Sequence, residues 1–312
     1  MNDAVLARAG DAAIRVGSKS FAAAARLFDR EMRDSAVMLY AWCRLCDDTV
    51  DGQASGHDGR RLAREEAEAR LARLEALTRA ALDGEPAEDP AFAGLQAVAR
   101  RHAIPRRYPL QHLDGYRMDV AGRRYATLSD TLDYCYHVAG VVGVMMGHVM
   151  GVRDPETLDR ASDLGIAFQL TNIARDVVED ASNGRVYLPA DWLAEAGLDD
   201  GDFAEPRHRE GLATVVARLL AVSEPYYDSA AIGIRSLPPR AAWAVATAQG
   251  VYRQIGLDVL RRGARAWDER VSTSTAQKLR HVALGAGTAV ASRFPNDGAP
   301  RRCDGLYARP GL

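Results

Sequence analysis

The sequence predicts an all-α fold, and three observations support that prediction. Apolar residues recur three and four positions apart through most of the 312 residues, which is the period of a helix buried along one side. No run of alternating β-branched residues is long enough to build a sheet. Segments rich in Gly and Pro interrupt the helical pattern, but no Gly/Ser-rich linker divides the chain. We therefore expect one domain of about ten or more helices.

The elements follow from this pattern in chain order. Residues 21–45 place Ala, Leu, Met, Tyr and Trp at helical spacing, and residues 64–82 (REEAEARLARLEALTRAAL) form a strong amphipathic helix. Breaks are expected at 52–59, 84–90, 104–109, 153–155, 182–189, 197–206 and 237–239. Residues 1–293 are expected to form the domain. Residues 294–312 are rich in Pro, Gly and Arg, so we expect a disordered or loosely packed tail.

The charge balance excludes one class of partner. The chain has 40 Lys and Arg against 42 Asp and Glu, a net charge of −2, so a chain-wide basic surface for nucleic acid or anionic membrane is not expected. Any anion must be held locally. Lys19 and Lys278 are the only lysines, a bias that a GC-rich genome explains.

Several features favour a cytoplasmic protein. The N-terminal segment lacks the basic and apolar regions of a signal peptide. The most apolar stretch, 138–152, has about 15 residues and is too short to span a bilayer. The four cysteines form no disulfide framework of a secreted domain, and Cys43 and Cys46 are most simply two core thiols on one helix.

Two groups of acidic residues suggest a metal site. Asp47 and Asp51 lie one helical turn apart after an apolar segment, where hard oxygen ligands can share a divalent cation; the alternative is a solvated acidic helix end. Asn172, Asp176 and Asp180 form a stripe of about 12 Å on one face of a second helix with apolar flanks. Buried carboxylates need partners, so we expect the two helices to face each other across shared metal.

Basic and polar residues near these carboxylates suggest a phosphate-binding site. The motif GSKSF at 17–21 precedes a helical run, where backbone N–H groups, the helix dipole and Lys19 favour an anion; an ordinary helix cap is the alternative. Arg44 and Arg175 adjoin the two acidic groups, which fits a diphosphate bound with metal, or else local ion pairs. Small residues at 139, 140, 143 and 147 allow close helix packing or line a groove.

The motifs together resemble the squalene and phytoene synthases, a family of head-to-head prenyl synthases. The matching segments, in family order, are GSKSF (17–21), YAWCRLCDDTVD (40–51), YCYHVAGVVG (134–143), QLTNIARDVVED (169–180), GRVYLP (184–189) and AWDERVSTS (266–274). Several are nearest in wording to bacterial members from carotenoid gene sets. The resemblance implies the isoprenoid synthase fold, with helices around a central apolar cavity.

The resemblance also implies roles for individual residues. The metal ligands would be Asp47, Asp51, Asn172, Asp176 and Asp180, holding Mg²⁺, with Mn²⁺ as an alternative. The substrate-binding residues would be Gly17, Ser18, Lys19, Ser20, Phe21, Tyr40, Arg44, Gln169, Arg175, Tyr252 and Arg270. Catalysis would involve Tyr134, near the departing diphosphate and the proton to be removed, together with Asp47, Asp51 and Asp176. Thr275 stands where many family members have Lys.

The reaction implied is the condensation of two geranylgeranyl diphosphates to phytoene through prephytoene diphosphate, the first committed step of carotenoid synthesis, without NADPH. The alternatives are a squalene-type or presqualene diphosphate synthase that uses farnesyl diphosphate, and, from a different class, a catalytically idle helical partner protein. The two prenyl diphosphates are the expected partners. Because phytoene is extremely apolar, peripheral membrane association and contact with neighbouring carotenoid enzymes are compatible with this expectation.

Overall fold

The fold is described from a computed structural model, which covers residues 2–17, 19–51, 63–198, 201–294 and 300–311. Within these ranges there are thirteen α-helices and no strand, so the all-α prediction is confirmed. The helices are α1 (Asp3–Gly17), α2 (Lys19–Ala25), α3 (Arg30–Asp51), α4 (Arg64–Asp83), α5 (Pro90–Arg101), α6 (Arg107–Val120), α7 (Leu128–Cys135), α8 (Val141–Val149), α9 (Pro155–Ser182), α10 (Ala190–Glu195), α11 (Arg209–Ile234), α12 (Pro239–Arg262) and α13 (Thr275–Ala291). A π-helix (Tyr136–Gly140) joins α7 to α8, and short 3₁₀ turns precede α11 and follow α12.

Local sequence signals explain where several helices begin and end. The predicted amphipathic segment 64–82 is α4, which ends before Gly84 in the left-handed conformation with φ of 90°. Helix α9 begins with Pro155 at its first position, and the Asp154 side chain accepts a hydrogen bond from the Thr157 N–H. Ser274 and Gln277 form a reciprocal capping box at the start of α13. These signals fix the end of α4 and the beginnings of α9 and α13.

The helical run at 21–45 differs from its predicted form. The apolar spacing continues without interruption, but the structure separates α2 from α3 by a turn at residues 26–29. Asp29 Oδ1 accepts a hydrogen bond from the Met32 N–H at 2.9 Å, as the N-cap of α3. The local cap therefore starts a new helix inside a continuous apolar pattern.

Helix α9 lies at the centre of the bundle and packs against α8, α11 and α12. Its approach to the π-helix and α8 is unusually close: a Cβ added at Gly165 would lie 2.2 Å from the Ala139 carbonyl oxygen, and one at Gly143 would lie 2.2 Å from the Ala161 oxygen. Ala139 and Gly143 also line the internal cavity. The small residues thus serve both functions that the sequence left open, close packing and a groove.

The tail corrects a prediction. Residues 300–311 pack across α9 and α11 instead of lying free: Arg302 donates to the buried Asp163 at 2.6 and 2.8 Å, and the Tyr307 N–H donates to Tyr226 Oη at 3.0 Å. Arg309 is buried. The predicted disorder is wrong for these residues because the composition of the tail does not reveal the carboxylates on α9 that its arginines neutralise. The domain boundary at residue 293 stays a prediction.

Candidate active site

An apolar cavity of about 370 Å³ runs through the bundle between α2, α3, the π-helix with α8, α9 and α12. On α9 it extends from Asn172 to Thr157, a separation of about 22 Å along the helix axis. Six polar or charged residues among those predicted for the site line this cavity, namely Tyr40, Arg44, Asp47, Gln169, Asn172 and Tyr252. Residues from three distant segments of the chain therefore meet at one end of an otherwise apolar cavity.

The end of α3 supplies the first acidic group. Arg44 donates to Asp47 at 2.9 Å and to Asp48 at 2.6 Å, so the local ion pairing that the sequence left open is present. Asp51 is the last residue of α3, and its side chain lies outside the described residues. Burial raises the pKa of Tyr40 to about 12, so its phenol stays protonated and can donate a hydrogen bond to an anion.

Asp176 and Asp180 on α9 lie in a crowded acidic environment. Asp176 accepts hydrogen bonds from Arg175 Nε at 2.7 Å and from Arg270 Nη2 at 3.1 Å. Burial, and then the charge of Asp176, raise the pKa of Asp180 to about 8. The neutral form of Asp180 is therefore favoured near pH 7.

Asn172, on the same face of α9, has a buried side-chain oxygen without a hydrogen-bond partner, while its amide nitrogen donates to Gln169 Oε1 at 3.4 Å. An orphaned buried carbonyl oxygen is costly. A cation bound there would supply the missing partner.

These observations test whether the site suits a metal ion. Within the described residues, His, Cys, Asp and Glu side chains form no group of three that could hold a metal by themselves. Asp47 and Asn172 nevertheless line one cavity, and a divalent cation nearby would both satisfy the orphaned oxygen of Asn172 and favour ionised Asp180. Oxygen donors of this kind suit Mg²⁺, so the donor set fits the expected metal.

The GSKSF motif lies at a helix boundary, since α1 ends at Gly17 and α2 begins at Lys19. Ser18 and the side chains of Lys19 and Ser20 lie outside the described residues, so their predicted contacts with diphosphate stay predictions. Phe21 is described, and its ring centroid lies 5.4 Å from that of Tyr252.

Aromatic rings line the cavity beside the polar end. Phe168 stacks on Tyr252 with centroids 4.2 Å apart, and Phe21 lies 6.2 Å from Phe168. Phe168 was not predicted as a site residue, although it is adjacent to the QLTNIARDVVED segment. The faces of such rings attract cations, so this cluster can stabilise positive charge in an apolar environment.

Tyr134 contacts two residues that the sequence did not single out. Its phenol donates to Asp119 Oδ2 at 3.1 Å, while Tyr187 donates to Asp119 Oδ1 at 2.9 Å. The two rings stack with centroids 4.6 Å apart. Burial, and then the charge of Asp119, hold the pKa of Tyr134 far above its usual value, so the phenol is neutral. Tyr187 belongs to the quoted GRVYLP segment, whereas Asp119, a single carboxylate at the end of α6, gave no comparable signal.

Known proteins resemble this chain over most of its length. The squalene/phytoene synthase family profile matches residues 14–277. The 15-cis-phytoene synthase of Enterobacter agglomerans is 54% identical over 297 residues, which cover 95% of this chain and 100% of the relative. The corresponding protein of Pantoea ananas is 50% identical over 310 residues, covering 99% and 100%.

Solved structures agree with the fold. A dehydrosqualene synthase in complex with a ligand superposes with a TM-score of 0.81 at 26% identity, covering 91% of this chain and 96% of that protein. A squalene synthase from Alicyclobacillus acidocaldarius gives a TM-score of 0.70 at 25% identity, covering 83% and 96%.

Proposed function

The chain belongs to the squalene/phytoene synthase family, and from that premise we propose that it catalyses phytoene formation from two molecules of geranylgeranyl diphosphate. It is a prenyltransferase. The observation that carries the choice of product is the identity of 50–54% over nearly the full length with phytoene synthases. The apolar cavity with acidic and basic groups at one end supports a substrate that has a long hydrocarbon chain and a diphosphate head.

Residues of both acidic groups would hold the metal. Asp47, Asn172, Asp176 and Asp180 would be ligands, together with Asp51 as predicted. When bound, Mg²⁺ would neutralise charge on the diphosphate and so make it a better leaving group. Manganese could take the same oxygen ligands.

The arginines of the site orient the diphosphate. Asp176 accepts hydrogen bonds from Arg175 and Arg270, and Asp47 accepts one from Arg44. These guanidinium groups therefore lie beside the carboxylates that would hold the metal, where they would bind phosphate oxygens of the diphosphate. Departure of the first diphosphate then leaves an allylic cation in the cavity.

The carbon–carbon bond forms when the double bond of the second substrate attacks this cation, and loss of a proton closes the cyclopropane of prephytoene diphosphate. Tyr134 and Asp119 are suited to receive that proton. Because Tyr134 is neutral, its oxygen can accept a proton from the substrate only as its own proton passes to Asp119 along their 3.1 Å hydrogen bond. This relay leaves Tyr134 neutral again.

Departure of the second diphosphate starts a cyclopropylcarbinyl rearrangement, and a final proton loss forms the central double bond. No electrons are added, so no reductant is required. Water would quench each cation, and the apolar walls of the cavity exclude it, while the rings of Phe21, Phe168 and Tyr252 stabilise positive charge.

The test is to incubate the purified protein and Mg²⁺ with farnesyl or geranylgeranyl diphosphate, with and without NADPH, and to identify the hydrocarbon by mass spectrometry. We expect a C40 product from geranylgeranyl diphosphate, with no dependence on NADPH and none formed after chelation of the metal. Asp176→Ala should abolish product. A C30 product alone would favour the farnesyl-using alternative, and no product with either substrate would favour the idle partner.

A further inference from the structure

The outer side of α13 has an unusual distribution of apolar residues. Leu279, Leu284 and Val290 on this helix are 65%, 56% and 60% exposed, and Phe294, three residues beyond its end, is 69% exposed. The residues that pack inward are small: Gly285 and Ala289 are buried. A helix on the surface of a globular protein normally turns its large apolar residues inward. We call Leu279, Leu284, Val290 and Phe294 the outer apolar face.

Glycines allow α12 and α13 to approach closely. A Cβ added at Gly285 would lie 2.6 Å from Thr247 Oγ1, and one added at Gly250 of α12 would lie 2.4 Å from His281 Nδ1. The first glycine brings the two helices together, and the second makes room for the His281 ring. Leu257 and Leu260 of α12 are also exposed, at 45% and 44%.

The charge of this region differs from that of the whole chain. The complete chain has a net charge of −2. Residues 275–294 contain Lys278, Arg280 and Arg293 and no acidic residue. Arg280 and Arg293 are exposed. Long arginine side chains can keep their stems among apolar groups while the charge reaches phosphate.

We propose that α13 docks this protein on an anionic lipid surface, with the outer apolar face in the boundary between head groups and acyl chains. A helix with exposed Leu, Val and Phe together with basic residues has the composition of an interfacial helix. At 17 residues it would lie in the membrane plane over about 25 Å. No helix of the described ranges is long and apolar enough to cross a membrane.

A second copy of the chain fits this surface less well. A symmetric dimer places the same patch on both sides of the interface, so α13 would oppose another helix that has basic residues and no acidic partners for them. Anionic lipid supplies the opposite charge and the apolar phase together.

The position of α13 relative to the cavity relates docking to the release of the product. Ala244, Val245 and Ala248 of α12 line the cavity, while Thr247 and Gly250 face α13. The cavity is thus separated from the docking surface by two helix layers. This step rests on the proposed function: a product without polar groups has to leave for an apolar phase, and docking through α13 would place the enzyme beside such a phase.

The test is flotation of the full-length protein with vesicles of phosphatidylcholine alone or with about one third phosphatidylglycerol, at about 0.1 M and 1 M salt. Leu284→Ser/Val290→Ser removes two residues of the outer apolar face. Val5→Ser/Leu77→Ser is the matched control, since these residues are exposed to 53% and 40% on α1 and α4. We expect the first variant to bind anionic vesicles at least about tenfold more weakly than wild type does. The control should bind as wild type does.

The charge component has its own variant. Arg280→Gln/Arg293→Gln should weaken binding at low salt and reduce the difference between anionic and neutral vesicles. Phytoene formation in detergent should be unchanged in all variants, because none of these residues lines the cavity. An enzyme that forms no phytoene but binds vesicles would contradict the proposed function and leave the docking surface supported.

Three results would overturn the proposal. The first is a wild-type protein that does not float with anionic vesicles. The second is a Leu284→Ser/Val290→Ser variant that floats as well as wild type. The third is light scattering in which wild type is a dimer and this variant a monomer, with no vesicle binding by either, which would assign the face to a second copy of the chain.

Discussion

The carboxylates of the site differ in their hydrogen-bond and ion-pair partners. Asp176 is paired with Arg175 and Arg270, and Asp47 is paired with Arg44. Asp180 is buried next to Asp176 with a pKa of about 8. Asp119 accepts hydrogen bonds from the phenols of Tyr134 and Tyr187. The first three would hold a cation, whereas Asp119 is suited to receive a proton from Tyr134.

Asp119→Asn tests this distinction. The amide can still accept from one phenol but cannot take up the proton, so we expect phytoene formation to fall by about 10²-fold or more. The thermal midpoint should change little. Asp114→Asn is the control, because Asp114 lies on the same helix in a partly exposed ion pair with Arg117. Initial rates with geranylgeranyl diphosphate measure both variants, and wild-type turnover by Asp119→Asn would contradict the relay.

At the level of elements, the site depends on how closely α9 can approach the π-helix. Gly165 lies against the backbone at Ala139, and both flank the cavity wall. The π-helix places an extra residue in this turn, a feature often found at functional sites. The contact positions Gln169 and Asn172, one and two turns further along α9.

Gly165→Ala and Gly287→Ala compare a glycine that has no room for a Cβ with one that has open space around it. Alanine favours a helix over glycine by about 1 kcal/mol, yet at Gly165 its Cβ would meet a carbonyl oxygen at 2.2 Å. We expect this variant to lose about 2 kcal/mol of unfolding free energy or more. Gly287, on α13, has no atom within 4 Å of an added Cβ, so its variant should be as stable as wild type or slightly more. Urea unfolding measures both, and a Gly165→Ala protein of wild-type stability would refute the close contact.

The elements also differ in how well the sequence predicts them. The α4 helix follows directly from its amphipathic pattern. Asp47 and Asp51 lie on one helix, as do Asn172, Asp176 and Asp180, as their spacing predicts. The Asp119 and Tyr187 pair joins residues 68 positions apart, and spacing does not reveal such a contact. The turn before Arg30 was missed because a single N-cap interrupts an apolar run that otherwise continues.

For the whole molecule, charge balance and charge distribution lead to different conclusions. A net charge of −2 argues against a basic surface over the entire chain, but residues 275–294 contain three basic residues and no acidic residue. The sequence contains this asymmetry, yet only packing shows that α13 turns its small residues inward and its large apolar residues outward. A surface for anionic lipid can therefore exist on a chain whose overall charge repels it.

A buried ion pair joins the C-terminal tail to α9. Removal of this ion pair should lower the stability of the whole fold. Arg302 donates twice to Asp163, whose side chain is 0% exposed and has Ser229 as its other partner. Arg302→Ala leaves that carboxylate buried without its counter-charge, so we expect a loss of about 3 kcal/mol in unfolding free energy. Arg301→Ala, at an exposed neighbouring position, should have no effect. Urea unfolding of both proteins is the measurement, and Arg302→Ala/Asp163→Asn should recover part of the loss because no charge is left unpaired. Equal stability of Arg302→Ala and wild type would mean that the contact of the tail with Asp163 does not stabilise the fold.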